Sequence, residues 1–186
     1  TENPLHPAFE RYHPFDGDGM VHAIHFSKGK ASYRNRFVKT AGFIAEQQAG
    51  RTLWAGILER PELSVHDGWG ARTRMKDASS TDVVVHRGMA LTTFYQCGDA
   101  YQLDPVTLEE RGKATWNGQF PADWGISAHP KVDELTGELL FFSYSKQAPY
   151  MSYGVVDPSG QVVHKVAIPL PGPRLPHDMA FTERYA

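Results

Sequence analysis

Nine histidines are the chemically richest residues of this 186-residue chain, because imidazole is the commonest metal ligand and titrates near neutral pH. Spacing removes most of them from any shared site. His22 and His25 lie three apart on an expected strand, so their side chains point to opposite faces. His6, His13 and His66 fall in polar loops, and His86 and His164 sit near turns, where surface positions are expected. His129 and His177 differ. Each stands beside a proline, in Ala128-His129-Pro130 and Pro176-His177-Asp178, which restricts the backbone at the histidine. They lie too far apart to form a local ligand motif such as H-E-x-x-H, so a shared metal would need the fold to unite them.

Other chemistries find little support. Asp16-Gly17-Asp18-Gly19 looks like the start of a calcium loop, but Met20 and Val21 occupy positions that need oxygen ligands, so a turn is expected. No serine lies in G-x-S-x-G and there is no P-loop. Cys97 is the only cysteine, which excludes an internal disulfide, and no sequence neighbour would make it a thiolate.

The elements that must position these residues read as short strands between turn signals. Met20 to Phe26 and Ala31 to Val38 flank Ser27-Lys28-Gly29-Lys30, and Val83 to His86 and Ala90 to Tyr95 flank Arg87-Gly88. Tyr101 to Leu103 runs into Asp104-Pro105, and Glu138 to Tyr144 follows a turn at Asp133 to Gly137. Met151 to Val156 and Val162 to Ile168 flank Asp157-Pro158-Ser159-Gly160. Phe181 to Ala186 reads as the start of a further strand, as if the chain were cut there. Only Phe43 to Gly50 reads as helix, and Leu58 to Thr81 reads as polar loop. Hairpin after hairpin without βα alternation means an all-β fold. The stretches from Val83 to about Phe120 and from Ile126 to Ile168 each suit one four-stranded propeller blade, although exact repeat identity is absent and a sandwich stays open.

Composition is that of a globular chain, with 41% apolar and 22% charged residues. A net charge of -2 offers no electrostatic basis for nucleic-acid binding. The densest basic group, Arg72, Arg74 and Lys76, reads as a solvated loop. No apolar signal core or membrane span is visible, and a soluble, cytoplasmic protein is expected.

Four segments, in order and at sensible spacing, resemble the carotenoid cleavage oxygenase family. They are Phe15-Asp16-Gly17-Asp18-Gly19-Met20-Val21-His22, then Tyr101-Gln102-Leu103-Asp104-Pro105, then Ala128-His129-Pro130-Lys131-Val132-Asp133, then Pro176-His177-Asp178-Met179-Ala180-Phe181. The resemblance runs nearly end to end. It implies that residues 1–186 form the N-terminal portion of a seven-bladed β-propeller domain whose later blades are absent. It further implies four axial histidines holding Fe(II), with His129 and His177 as the first two. O₂ would then split a conjugated C=C bond of a carotenoid or apocarotenoid into two carbonyls, and the chain alone would be inactive.

Members of the family place glutamates behind the ligand histidines, and the first of these glutamates falls here at Gln96, the expected partner of His177, which can accept a hydrogen bond but carries no charge. Phe94, Tyr95 and Phe15 are expected to line the substrate site. A lignostilbene-type enzyme is the alternative within the family; the positions expected to grip a phenol hold Phe94 or Tyr95 and Ile57 or Leu58. A non-catalytic propeller module is the alternative outside it. The loop from Leu58 to Met75 is a further expectation for peripheral membrane contact.

Overall fold

The computed structural model describes residues 2–67, 75–120 and 125–186. Arg72 and Arg74, and part of the loop expected to touch a membrane, lie outside the described residues. Three antiparallel sheets follow one another along the chain. The first joins β1 (Glu2–Asn3), β2 (Asp18–Ser27) and β3 (Lys30–Phe37) in that order. The second is the meander β4 (Asp82–His86), β5 (Met89–Thr93), β6 (Tyr101–Leu103) and β7 (Glu110–Lys113). The third is the meander β8 (Lys131–Val132), β9 (Leu139–Tyr144), β10 (Tyr150–Val156) and β11 (Val162–Pro169). Two successive four-stranded meanders are the blade unit of a propeller.

Local chemistry explains the strand connections. Lys28 and Gly29 (φ 49° and 72°) and Arg87 and Gly88 (φ 53° and 74°) form two-residue hairpin turns, with Ser27 opposite Lys30 and His86 opposite Met89. Positive φ at both central residues matches the right-handed twist of the flanking strands. The segments Asp104 to Glu109 and Asp133 to Glu138 close identical turns. In each, the aspartate carbonyl accepts from the residue four later, Leu108 or Gly137, and its Oδ1 accepts from the residue two later. One turn joins β6 to β7 and the other β8 to β9, so this likeness is not a blade repeat. Helix α1 (Ala41–Ala49) starts two residues earlier than expected because Thr40 Oγ1 caps the Phe43 N–H at 3.0 Å, and it ends at Gly50 in the left-handed region. The segment 181–186 forms no strand. The Thr182 hydroxyl accepts from Tyr185 N at 3.1 Å, a local bond that competes with strand pairing.

The two meanders approach each other through their first strands, β4 and β8. Between them lies a core of Leu91, Ala100, Ala114, Trp116, Ile126, Leu139, Phe141 and Val156. Trp116 stacks on Phe141 with ring centres 5.8 Å apart, and Phe120 meets both rings edge-on. All six residues of β9 are buried, so both of its faces are covered. Gly154 on β10 lets the Phe141 ring approach within 2.5 Å of the place where a Cβ would stand. His86, expected at the surface, is only 5% exposed, with Nε2 placed 3.1 Å from the Gly137 carbonyl oxygen. It and Arg87, whose Nε donates to the Pro158 carbonyl at 3.0 Å, fasten the β4–β5 turn to the next meander.

Lys76, expected in a solvated loop, is mostly buried. Its side chain is 10% exposed and bridges Asp18 at 2.7 Å and Glu46 at 2.6 Å. Burial lowers the ammonium pKa, yet the two carboxylates outweigh it and the net shift is upward. Asp18 also accepts from Leu5 N, and Glu46 from Leu53 N. One cation thereby ties β2, α1 and the segment entering β4. Deleting one partner of such a buried set costs about 3–5 kcal/mol.

Next to Lys76, the fully buried carboxylate of Asp77 accepts from Ser79 N at 3.0 Å and from Asp99 N at 2.7 Å. Burial pushes this carboxyl up to about 7 from its usual 3.8, despite the two N–H donors. A raised carboxyl pKa means that the folded state holds a proton the unfolded state has released. Stability therefore falls as pH rises from about 4 towards 7 and levels off above. Urea unfolding of the full-length protein between pH 5 and 9 should show this loss, and Asp77→Asn should remove that part of the slope.

Candidate functional site

The route to His129 starts in the core. Ile126 N donates to the Gly98 carbonyl at 3.0 Å, and Ser127 N to the Phe142 carbonyl at 2.9 Å. Ile126 and Ala128 are fully buried, and the chain leaves the core at His129, just before β8. His129 has φ 62°, a left-handed conformation that histidine adopts more readily than most residues. Pro130, which follows, disfavours the right-handed helical alternative. This bend is where the proline neighbour expected to constrain His129 takes effect.

His177 arrives from the extended segment after β11. Two contacts seat that segment. Lys131 Nζ pairs with Asp178 Oδ1 at 2.6 Å, and Met179 packs on Cys97, Phe142 and Tyr144. The hydrogen bond from Lys131 holds the Asp178 carboxyl below the usual carboxylate range. The His129 and His177 Nε2 atoms face each other at 3.3 Å, with ring centres 4.9 Å apart and planes at 69°. The structure therefore unites the two histidines singled out in the sequence.

Chemistry assigns the protons. His129 Nδ1 lies 2.8 Å from Asp82 Oδ2. A carboxylate only accepts, so Nδ1 carries the hydrogen and a neutral His129 presents its lone pair at Nε2. That is the form in which imidazole binds metals. Metal–imidazole bonds of about 2.0–2.1 Å at about 90–110° put two ligand nitrogens about 2.9–3.4 Å apart, and the observed separation falls in that range. The pair thus fits as two neighbouring ligands of one ion. Among the described residues no group of three or more His, Cys, Asp or Glu could hold a metal.

Asp82 is the residue that sequence reasoning missed. It opens β4, far from His129 in sequence, and its only local sign is its place at the start of a Val-rich strand. Gln96, expected behind His177, donates through Nε2 to Tyr95 Oη at 3.1 Å and to Met75 Sδ at 3.3 Å. Its amide oxygen is the atom able to accept from an imidazole. Tyr144 fixes this stretch, its hydroxyl donating to the Tyr95 carbonyl at 2.5 Å. Phe15, Phe94 and Tyr95 form one chain of edge-on rings, with centres 6.3 Å apart for Phe15–Tyr95 and 4.9 Å for Phe94–Tyr95. Phe94 is buried within it, whereas Phe15 is 52% exposed. Phe15 and Phe94 line a cavity with Tyr12, Trp54 and Met75, floored by Asp18, Glu46 and Lys76. Ile57 and Leu58, where a lignostilbene-type enzyme is expected to grip a phenol, are both exposed. The described histidine pair is not among the residues lining this cavity.

The comparisons with known proteins agree with this architecture. The family model described as retinal pigment epithelial membrane protein matches residues 1–186. Isoeugenol monooxygenase of Pseudomonas nitroreducens is 35% identical over 95% of this chain and 37% of its own length. Carotenoid 9,10(9',10')-cleavage dioxygenase 1 of Phaseolus vulgaris is 31% identical over 99% of this chain and 36% of its own. Among solved structures, the lignostilbene dioxygenase of Pseudomonas brassicacearum superposes with a TM-score of 0.79 at 31% identity, covering 98% of this chain and 37% of that one. Cobalt-substituted Synechocystis apocarotenoid oxygenase superposes with a TM-score of 0.76 at 26% identity, over 97% and 40% respectively. The chain thus spans little more than a third of the length of these relatives. With its blade-like meanders and a match along its whole length, the chain belongs to the retinal pigment epithelial membrane protein family, the carotenoid cleavage oxygenases, and forms part of their β-propeller fold.

Proposed function

We propose that the whole protein is an Fe(II)-dependent dioxygenase that cleaves a conjugated C=C bond. The observation that carries this reading is the facing pair of Nε2 atoms on His129 and His177. Both would hold the metal, and we assign its remaining ligands to the part of the whole protein beyond these residues, so that residues 1–186 alone would be inactive. Bound there, iron supplies the centre that activates O₂, so that one alkene and one O₂ give two carbonyl compounds. The chain's own residues do the rest. Asp82 keeps the proton on His129 Nδ1, and the Lys131–Asp178 pair holds the second histidine in reach of the first. Gln96 would accept from His177 through its amide oxygen, adding orientation without charge. In the full-length protein, His129→Ala and His177→Ala should each lose iron and turnover while the far-ultraviolet spectrum stays that of the wild type. Full iron content with full rate in either variant would remove that residue from the site.

For the substrate, we propose an apolar polyene such as a carotenoid or apocarotenoid, held by area and shape against the rings of Phe15, Phe94 and Tyr95. A loop contact through residues 58–75 with the membrane that stores such polyenes would assist delivery; no helix of the described residues is long and apolar enough to cross one. Two observations favour a second reading, a phenolic alkene. Tyr95 places a hydroxyl beside the amide of Gln96, and relatives named for isoeugenol, resveratrol and lignostilbene match as well as those named for carotenoids. A site built around a phenol rejects analogues lacking the hydroxyl by about 10⁴–10⁵-fold. Side-by-side turnover of an apocarotenal, a carotenoid and a 4-hydroxystilbene, at matched iron and oxygen, decides between them. Polyene cleavage alone is the expected result. Stilbene cleavage that falls sharply in Tyr95→Phe would establish the second reading.

A further inference from the structure

We infer that Asp82 is a positioning residue for the site, selecting the tautomer and ring orientation of His129 and so tuning how tightly the histidine pair retains metal. The inference rests on the metal-site reading above. Three observations carry it. Both carboxylate oxygens of Asp82 are committed: Oδ1 accepts from Val83 N at 2.8 Å, and Oδ2 lies 2.8 Å from His129 Nδ1. The first bond orients the carboxylate by the backbone of β4, so the second is aimed rather than found by chance. The position is also central to the fold, because Asp82 opens β4 and His129 precedes β8, the two strands through which the meanders meet. Finally, both side chains are mostly shielded, at 29% and 24% exposed, so their bond faces less competition from water than a surface pair would.

The physical consequence follows from the two ring nitrogens. Without an acceptor at Nδ1, a neutral imidazole can carry its proton on Nε2, and that form cannot offer Nε2 to a metal. The ring would also be free to turn about its side-chain bonds. Asp82 removes both freedoms before metal arrives, and its charge raises the basicity of the ligand nitrogen. Gln96 would give His177 only a neutral partner, so Asp82 makes the two histidines unequal ligands. Losing such a partner typically costs about 10–100-fold in metal affinity.

The test uses full-length protein loaded anaerobically with Co(II), whose visible absorption reports ligand geometry and whose retention is measured by chelator competition. Asp82→Leu should retain Co(II) about 10–100-fold more weakly than wild type, with an altered absorption spectrum. Asp82→Asn, close to isosteric and still able to accept from Nδ1–H, should keep the wild-type spectrum and lose only a few-fold in affinity. Thermal unfolding of the metal-free proteins should be the same for the Asn variant and wild type. The inference is overturned if Asp82→Leu binds Co(II) as wild type does while His129→Ala does not. It is equally overturned if the Asn variant loses as much as Leu, together with a lower metal-free unfolding temperature, because Asp82 would then serve folding alone. Retention of Co(II) by His129→Ala would instead sink the metal-site reading itself, a result separable from the other two.

Discussion

Everything distinctive about this molecule depends on bringing two imidazoles from distant segments to within 3.3 Å of each other. Neither segment can do this by itself. His129 sits on a strained left-handed residue that the buried Ala128 and Pro130 hold in place. His177 lies on an extended stretch outside the strands, seated by the Lys131–Asp178 pair and by Met179 against β9. The pair is thus the meeting point of a rigid side and a tethered side. Lys131 follows His129 by two residues and Asp178 follows His177 by one, so a single ion pair registers one histidine against the other. A partly exposed ion pair contributes only modest stability, and its value here is geometric.

The carboxylates in this part of the fold play opposite roles according to what water they lose and what they meet. Asp18 and Glu46 give up solvent and gain the Lys76 ammonium, and the three side chains knit β2 and α1 to the approach to β4. Asp77 gives up solvent and gains only two backbone N–H groups, and its affinity for a proton rises. Asp82 stays partly wet and meets an imidazole. These four groups occupy the β2 strand, the helix, the segment that leads into β4 and the first residue of β4. The cavity bearing Phe15 and Phe94 opens on the same polar floor.

Much of the framework was legible in the residues alone. The hairpin turns, the αL glycine ending α1 and the two aspartate-seated turns all arise from bonds within a few residues, and short-range residue types dictate such bonds. The order of strands was legible for the same reason, since meanders pair neighbours. The two histidines stood out by their proline contexts and by the family resemblance, and the structure places them together. Where the reading erred, the cause was a distant partner. Lys76 looked like a solvated charge until Asp18 and Glu46 closed on it, and His86 looked like a surface residue until the turn carrying Gly137 covered it. Residues 181–186 read as the start of a strand, but Thr182 bonds within its own turn instead.

By itself, then, the sequence determined an all-β chain of successive hairpins, the positions of its tight turns, helix α1, and the two histidines able to act together. Only the tertiary structure decided that Asp82 faces His129 and that Lys131 meets Asp178. The reason is physical. A turn forms when a few neighbouring residues share a local preference, so its record lies in adjacent letters. A contact across tens of residues forms only when whole sheets have packed and paid the entropy of closing the intervening chain. Its energy belongs to that packing, and no single residue along the way carries its signature.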